Sequence, residues 1–173
     1  MASDDPKQQL MGEAAVEKVR TLLGHFRSAM VMTTAPSGEI HVRPWGLQGK
    51  AEDFDGTLWF FADARGRAVK EIGNGAPVQL ILQSDDKNSY MHLLGRASLS
   101  SDRAKIEELF SVFMKTWFPE GKNDKNLRLV RFDADGGSFW DSPGGMVQVL
   151  GAFVKTLVTG KEGKGGEMGD LAL

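Results

Sequence analysis

Between Ser28 and Asp133 the sequence carries six runs of β-type composition, and turn residues rather than helical periodicity separate most of them. A parallel doubly wound sheet needs a helix between most of its strands, so that architecture is excluded. The arrangement that satisfies the pattern is mainly β: an antiparallel barrel in largely hairpin order, with two or three helices packed outside it. At 173 residues the chain suffices for one domain with a substantial core.

Taken in order, Val19, Leu22, Leu23 and Phe26 fall on one apolar face, which predicts a helix starting near Gln8 and ending around Gly24. Ser28 to Thr34 reads as a buried strand. Ala35-Pro-Ser-Gly38 is turn chemistry, so Glu39 to Gln48 should return as its hairpin partner. Pro44 lies inside that second run and predicts a bulge or bend, because proline cannot donate to a ladder. Thr57 to Ala62 is a strand, and Arg67 to Ile72 a short helix closed by Gly73. Val78 to Gln83 and Ser89 to Ser100 form the next pair, with Gly95 as a bulge site. Asp102 is a good N-cap for a helix whose apolar positions run Ile106, Leu109, Phe110, Phe113 and Trp117. Leu127 to Asp133 is the sixth strand, and Ser138 to Asp141 either extends it or forms a short edge. A last helix is expected over Met146 to Val158. The domain then covers 1–159, and the glycine-rich, charged 160–173 is expected as a flexible tail.

Composition narrows the function classes. A net charge of -2 lacks the basic footprint of a nucleic-acid binder. Without any cysteine, disulfides, thiol catalysis and cysteine-based zinc sites are excluded. No apolar run reaches about 18 residues and no signal-peptide core is present, so a cytoplasmic protein without a membrane partner is expected. His25, His41 and His92 match no metal-ligand spacing, so no metal is expected. Neither a Gly-x-Ser-x-Gly elbow nor a Gly-x-Gly-x-x-Gly fingerprint occurs, and the tail glycines are not a P-loop.

The stretch from His41 to Ile72 is the chemical candidate. Asp63-Ala-Arg-Gly-Arg-Ala-Val-Lys70 runs from a strand into a helix, where backbone N–H groups and the cations of Arg65, Arg67 and Lys70 can meet a phosphate. Gly66 permits close approach to the backbone. The plain alternative is a solvated basic turn. Arg43-Pro44-Trp45 can hold an anion or ring carbonyl and cover an aromatic ligand, or can be a surface arginine beside a barrel aromatic. Trp59, Phe60 and Phe61 must divide between two faces, so one of them can line a pocket. No residue stands out as acid, base or nucleophile.

In sequence order, His41-Val-Arg-Pro-Trp, then Leu58-Trp-Phe-Phe-Ala-Asp-Ala-Arg-Gly-Arg-Ala-Val-Lys-Glu-Ile, then Trp117-Phe-Pro-Glu-Gly and Ser138-Phe-Trp-Asp resemble the general stress protein 26 group. That group belongs to the pyridoxamine 5'-phosphate oxidase-like, flavin-binding split-barrel superfamily, and the likeness runs from about Val16 to Gly160. The resemblance implies a six-stranded Greek-key split β-barrel, a homodimer, and FMN at the dimer interface, with FAD or a deazaflavin as alternatives. It implies that Arg43, Pro44 and Trp45 lie along the ring and ribityl chain. Phe61, Ala62 and Asp63 would offer backbone contacts. Arg65, Gly66, Arg67 and Lys70 would hold the phosphate, and Trp117 or Trp140 would reach the partner's site. Relatives usually carry Ser-x-Lys where this chain has Gly66 and Ala68. The Arg-Leu-His-type substrate run of the oxidase itself is absent, so oxidation of vitamin B6 is not expected. The implied activity is a flavin-dependent redox step on an unknown small molecule; a carrier that binds the cofactor without turnover is the alternative.

Overall fold

The computed structural model describes residues 8–141 and 167–173. Its strands are β1 (Gln9–Met11), β2 (Ser28–Thr34), β3 (Ile40–Gln48), β4 (Thr57–Asp63), β5 (Ala76–Ser84), β6 (Ser89–Ser100), β7 (Leu127–Asp141) and β8 (Glu167–Ala172). The helices are α1 (Glu13–Leu23), α2 (Arg67–Ile72) and α3 (Arg103–Leu109). Strands run in the order β7-β4-β3-β2-β5-β6, and β6 pairs back onto β7, so six antiparallel strands close a barrel. β8 extends β7 outward, and β1 lies parallel to β8.

Alternation decides what fills the barrel. In β2, Ala29, Val31 and Thr33 are buried while Ser28, Met30 and Thr34 are exposed. Phe60, Leu80, Leu82, Leu93, Phe132 and Phe139 complete the interior, each 1% exposed or less. α1 adds Val19 and Leu22 to the same cluster, which is why its apolar stripe was readable in the sequence. Between Leu94 and Gly95 the β6–β7 register shifts, as expected for a bulge. A Cβ on Gly95 would meet the Asp133 carbonyl at 2.1 Å, so the bulge requires glycine.

Several expectations need correcting. Gln9–Met11 is not the start of α1 but a strand, and the helix begins at Glu13. Pro44 produces no bulge: the β2–β3 register is unbroken from Ser28↔Gly46 to Thr34↔Ile40. Leu47 N–H donates to the Arg27 carbonyl and Ala35 N–H to the Glu39 carbonyl, so odd-numbered residues of β3 occupy the hydrogen-bonded pairs. Pro44 faces Met30 in a non-hydrogen-bonded pair, where its missing donor falls on the side away from β2 and is not needed. α3 keeps its cap, with Asp102 Oδ1 accepting from Lys105 N–H at 3.0 Å, but ends at Leu109. Phe110 is extended there, and a 3-10 segment, Val112–Thr116, follows. β7 is one strand through Asp141, so Ser138 to Asp141 extends the sixth strand. The expected flexible tail contains β8, whose Leu171 is 4% exposed. The helix expected over Met146 to Val158, and the first residues of that tail, lie outside the described residues.

Candidate functional site

The barrel opens between β3 and β4. These strands pair only at Leu47↔Phe60 and Gln48↔Trp59. From there β3 stays with β2 while β4 follows β7 as far as Asp63↔Leu127. A two-part cleft fills the gap. Its first part, about 520 Å³, is walled by Arg43 and Trp45 from β3, by Ala62 and Asp63 from β4, and by Gly66 and Arg67 at the entry to α2. A second part, about 880 Å³, shares Trp45, Ala62 and Asp63 and continues past Pro44, Phe61 and Arg65 to Trp117. Both volumes fall within the range of small-molecule sites, roughly 300–1,000 Å³.

Ten of the twelve residues expected at a cofactor site therefore face one cleft. Lys70 and Trp140 do not: Lys70 is on an exposed position of α2, and Trp140 sits on β7 between Tyr90 of β6 and Met168 of β8. Trp117 reaches the second part from the 3-10 segment, not from a buried helix face. It is 56% exposed and stands edge-on to Phe113 with ring centroids 5.1 Å apart. Trp45 is fixed from inside by Phe60, its ring centroid 5.7 Å away.

Most of the cleft's charge is already paired. Asp63 accepts from Arg65 through its backbone N–H at 2.8 Å, Nε at 2.9 Å and Nη2 at 2.5 Å. Those bonds, the side-chain ones foremost, pull the Asp63 carboxyl down to about 2. Arg43 donates through Nη1 to Thr33 Oγ1 at 2.6 Å and through Nη2 to Glu71 Oε2 at 3.2 Å. Thr33 donates in turn to the same Glu71 oxygen, and His41 Nδ1 lies 2.6 Å from Glu71 Oε1. Burial pushes the Glu71 carboxyl up, but the hydrogen bonds of Thr33 and His41 and the Arg43 charge outweigh it and hold it below the ordinary value. Among the described residues two lining cations make no side-chain hydrogen bond or ion pair, Arg67 in the first part of the cleft and Arg27 in the second, so Arg67 is the one left for a ligand beside Gly66.

Glu71, Thr33 and His41 form a cluster that periodicity alone does not single out. One signal was available: on α2 Ala68 and Ile72 are buried, so Glu71, next to Ile72 and three residues after Ala68, borders the buried face. An ionisable residue there needs partners, and the inward positions of β2 and β3 supply them.

The pyridoxamine 5'-phosphate oxidase-like family model matches residues 14–164. Among solved structures, a protein of Jannaschia sp. CCS1 described as general stress protein 26 is 23% identical, over 91% of this chain and 97% of that one, with a TM-score of 0.79. The general stress FMN/FAD binding protein of Xanthomonas citri is 25% identical, over 76% and 91% of the two chains, with a TM-score of 0.64. General stress protein 26 of Bacillus anthracis is 19% identical, over 74% and 94%, with a TM-score of 0.62. No curated protein matches the sequence. With the family model spanning most of the chain and the barrel shared with these structures, the chain belongs to the pyridoxamine 5'-phosphate oxidase-like family of split-barrel proteins.

Proposed function

We propose that this protein is a homodimeric FMN-binding flavoprotein of the general-stress type, and that it performs a flavin-dependent redox step on a small molecule. The observation that carries this reading is the two-part cleft, which sets an aromatic wall at Trp45 beside an uncommitted cation at Arg67. A flavin mononucleotide is a planar ring joined to a phosphate, and these residues fit both ends. Arg67 would meet the phosphate, and Trp45 with Pro44 would flank the ring. When bound, the cofactor supplies the electron chemistry, while the chain supplies binding, orientation and electrostatics. Sequence family and the relative named for FMN/FAD binding support the same reading.

A second copy is supported by an apolar outer surface. Ile40, Val42, Met30, Ile81 and Leu94 are 42–59% exposed on adjoining strands, with Met30 opposite both Pro44 and Ile81. Such a contiguous patch on one face marks an interaction site. No described helix is long and apolar enough to cross a membrane, and a cytoplasmic location is part of the proposal.

The test is the absorbance spectrum of the purified protein, repeated after reconstitution with FMN, FAD and a deazaflavin. A flavin spectrum with saturable FMN binding is expected. A colourless protein that none of the three reconstitutes overturns the reading. Reduction by NADH or NADPH and reoxidation then separates an enzyme from a carrier, the latter favoured if neither donor reduces the bound flavin.

A further inference from the structure

One polar atom in the cleft wall has no work to do. His41 lines the same part of the cleft as Gly66, Arg67 and Ala68. Its Nδ1 is 2.6 Å from Glu71 Oε1, on a side chain 7% exposed. An ionised carboxylate only accepts, so Nδ1 carries a hydrogen and the ring is fixed from behind. Its Nε2 is buried and has no hydrogen-bond partner among the described residues. The nearest charged group, Glu39 Oε1 at 3.4 Å, belongs to a side chain 71% exposed and makes no hydrogen bond to it. A ligand oxyanion at Nε2 would therefore displace only the exposed Glu39 carboxylate.

The local chemistry says which oxyanion. Gly66 and Ala68 bring no side-chain donor to the phosphate end, Arg65 is held by Asp63, and Arg43 is held by Thr33 and Glu71. Arg67 alone would leave a dianionic phosphate short of donors. We propose that His41 is a phosphate-binding residue of the cleft, its Nε2–H donating to a phosphomonoester oxygen while Glu71 acts as the positioning residue at Nδ1. This assignment rests on the reading of the cleft as an FMN site. The charged groups facing the imidazole are Glu71 and Arg67 on α2, Arg43 on β3 and Glu39 in the β2–β3 turn. Two carboxylates against two guanidiniums leave no net charge, so a proton on the ring is balanced by the incoming phosphate. A role confined to tying α2 against β2 and β3 would leave Nε2 unused.

The experiment compares the affinities of FMN and of riboflavin, which lacks the phosphate, at one pH. Wild type, His41→Gln and Glu71→Gln are compared, each first shown to be folded by circular dichroism. In His41→Gln the ratio of FMN to riboflavin affinity should fall roughly five- to tenfold, as a donor to the phosphate is lost. In Glu71→Gln the ratio should fall in the same direction and by less, because the ring is held less firmly from behind; a merely structural role would lower both affinities together and leave the ratio unchanged. An unchanged ratio in His41→Gln overturns the proposal. If FMN fails to bind, the flavin reading falls, and the proposal is then decided by inorganic phosphate. A shift of the His41 Nε2 resonance on adding phosphate sustains it, and an unmoved resonance overturns it.

Discussion

The Arg43 guanidinium lies 3.2 Å from Glu71 Oε2, and that contact ties an arginine of the cleft wall into the fold. Glu71 accepts from Thr33, Arg43 and His41 together, joining α2 to the inward faces of β2 and β3. Removing the carboxylate leaves three donors unmatched. Glu71→Ala should therefore destabilise by about 2–4 kcal/mol, slightly below the roughly 3–5 kcal/mol of a fully buried pair. The discount follows from Arg43, whose side chain is 22% exposed and can find water. Urea unfolding measures this, and a loss under about 1 kcal/mol would show that the cluster is not holding the helix.

Asp63 and Arg65 give the acid limb of stability. The Asp63 carboxyl is lowered to about 2 in the folded chain from an ordinary 3.8. A depressed carboxylate contributes stability above its unfolded value and loses it as pH falls through the folded value, so the loss should run from about pH 4 to about pH 2. Asp63 is 35% exposed, and solvent screening limits the contribution to about 1 kcal/mol. Glu71, also held low, adds loss in the same direction. In Arg65→Ala the acid limb should be shallower than in wild type, with the urea midpoint above pH 6 reduced by a correspondingly small amount. Identical acid limbs would remove Arg65 as the cause.

Legibility followed the range of the interaction. β2 runs over Ser28–Thr34 as read, because alternation and the Ala35–Gly38 turn are local signals. The Gly95 bulge was marked by its glycine. α3 was read too long because Phe113 and Trp117 have helical spacing, yet among the described residues none buries them and they stay 70% and 56% exposed. β1 and β8 were missed for a different reason: their parallel pairing joins Gln9 to Asp170, and nothing near either residue encodes the other. At the site, the strand–turn–helix was legible as a run of cations. Which cations are already paired was not, since Glu71 meets Arg43 across 28 residues.

Arg67 follows from that pairing as the cation whose loss should be felt most directly by a ligand. Arg67→Ala should weaken FMN binding by about 1–3 kcal/mol while leaving riboflavin affinity unchanged. The difference should shrink at high salt, because Arg67 is exposed and its charge is screened. Arg43→Ala should weaken FMN too, but with an accompanying loss of stability that Arg67→Ala does not show. Isothermal titration at two salt concentrations separates these effects, and equal losses for FMN and riboflavin would take Arg67 away from the phosphate.

The outer face of β3 supplies the last test. Val42 is 49% exposed, and its neighbours across the ladder, Met32 on β2 and then Gln79 on β5, continue the surface toward Leu94. His41 and Arg43, adjacent to Val42 in β3, are less exposed, and Val42 itself also borders the first part of the cleft. If a second copy covers this face, a charge placed there is buried against apolar surface in the dimer but solvated in the monomer. Val42→Glu should then shift sedimentation toward monomer without lowering the urea midpoint of the monomer itself, since the side chain already faces solvent there. Because the same strand borders the cleft, FMN affinity should fall as the dimer dissociates and recover at high protein concentration. A monomeric Val42→Glu protein that binds FMN as tightly as wild type would separate the cofactor site from the interface.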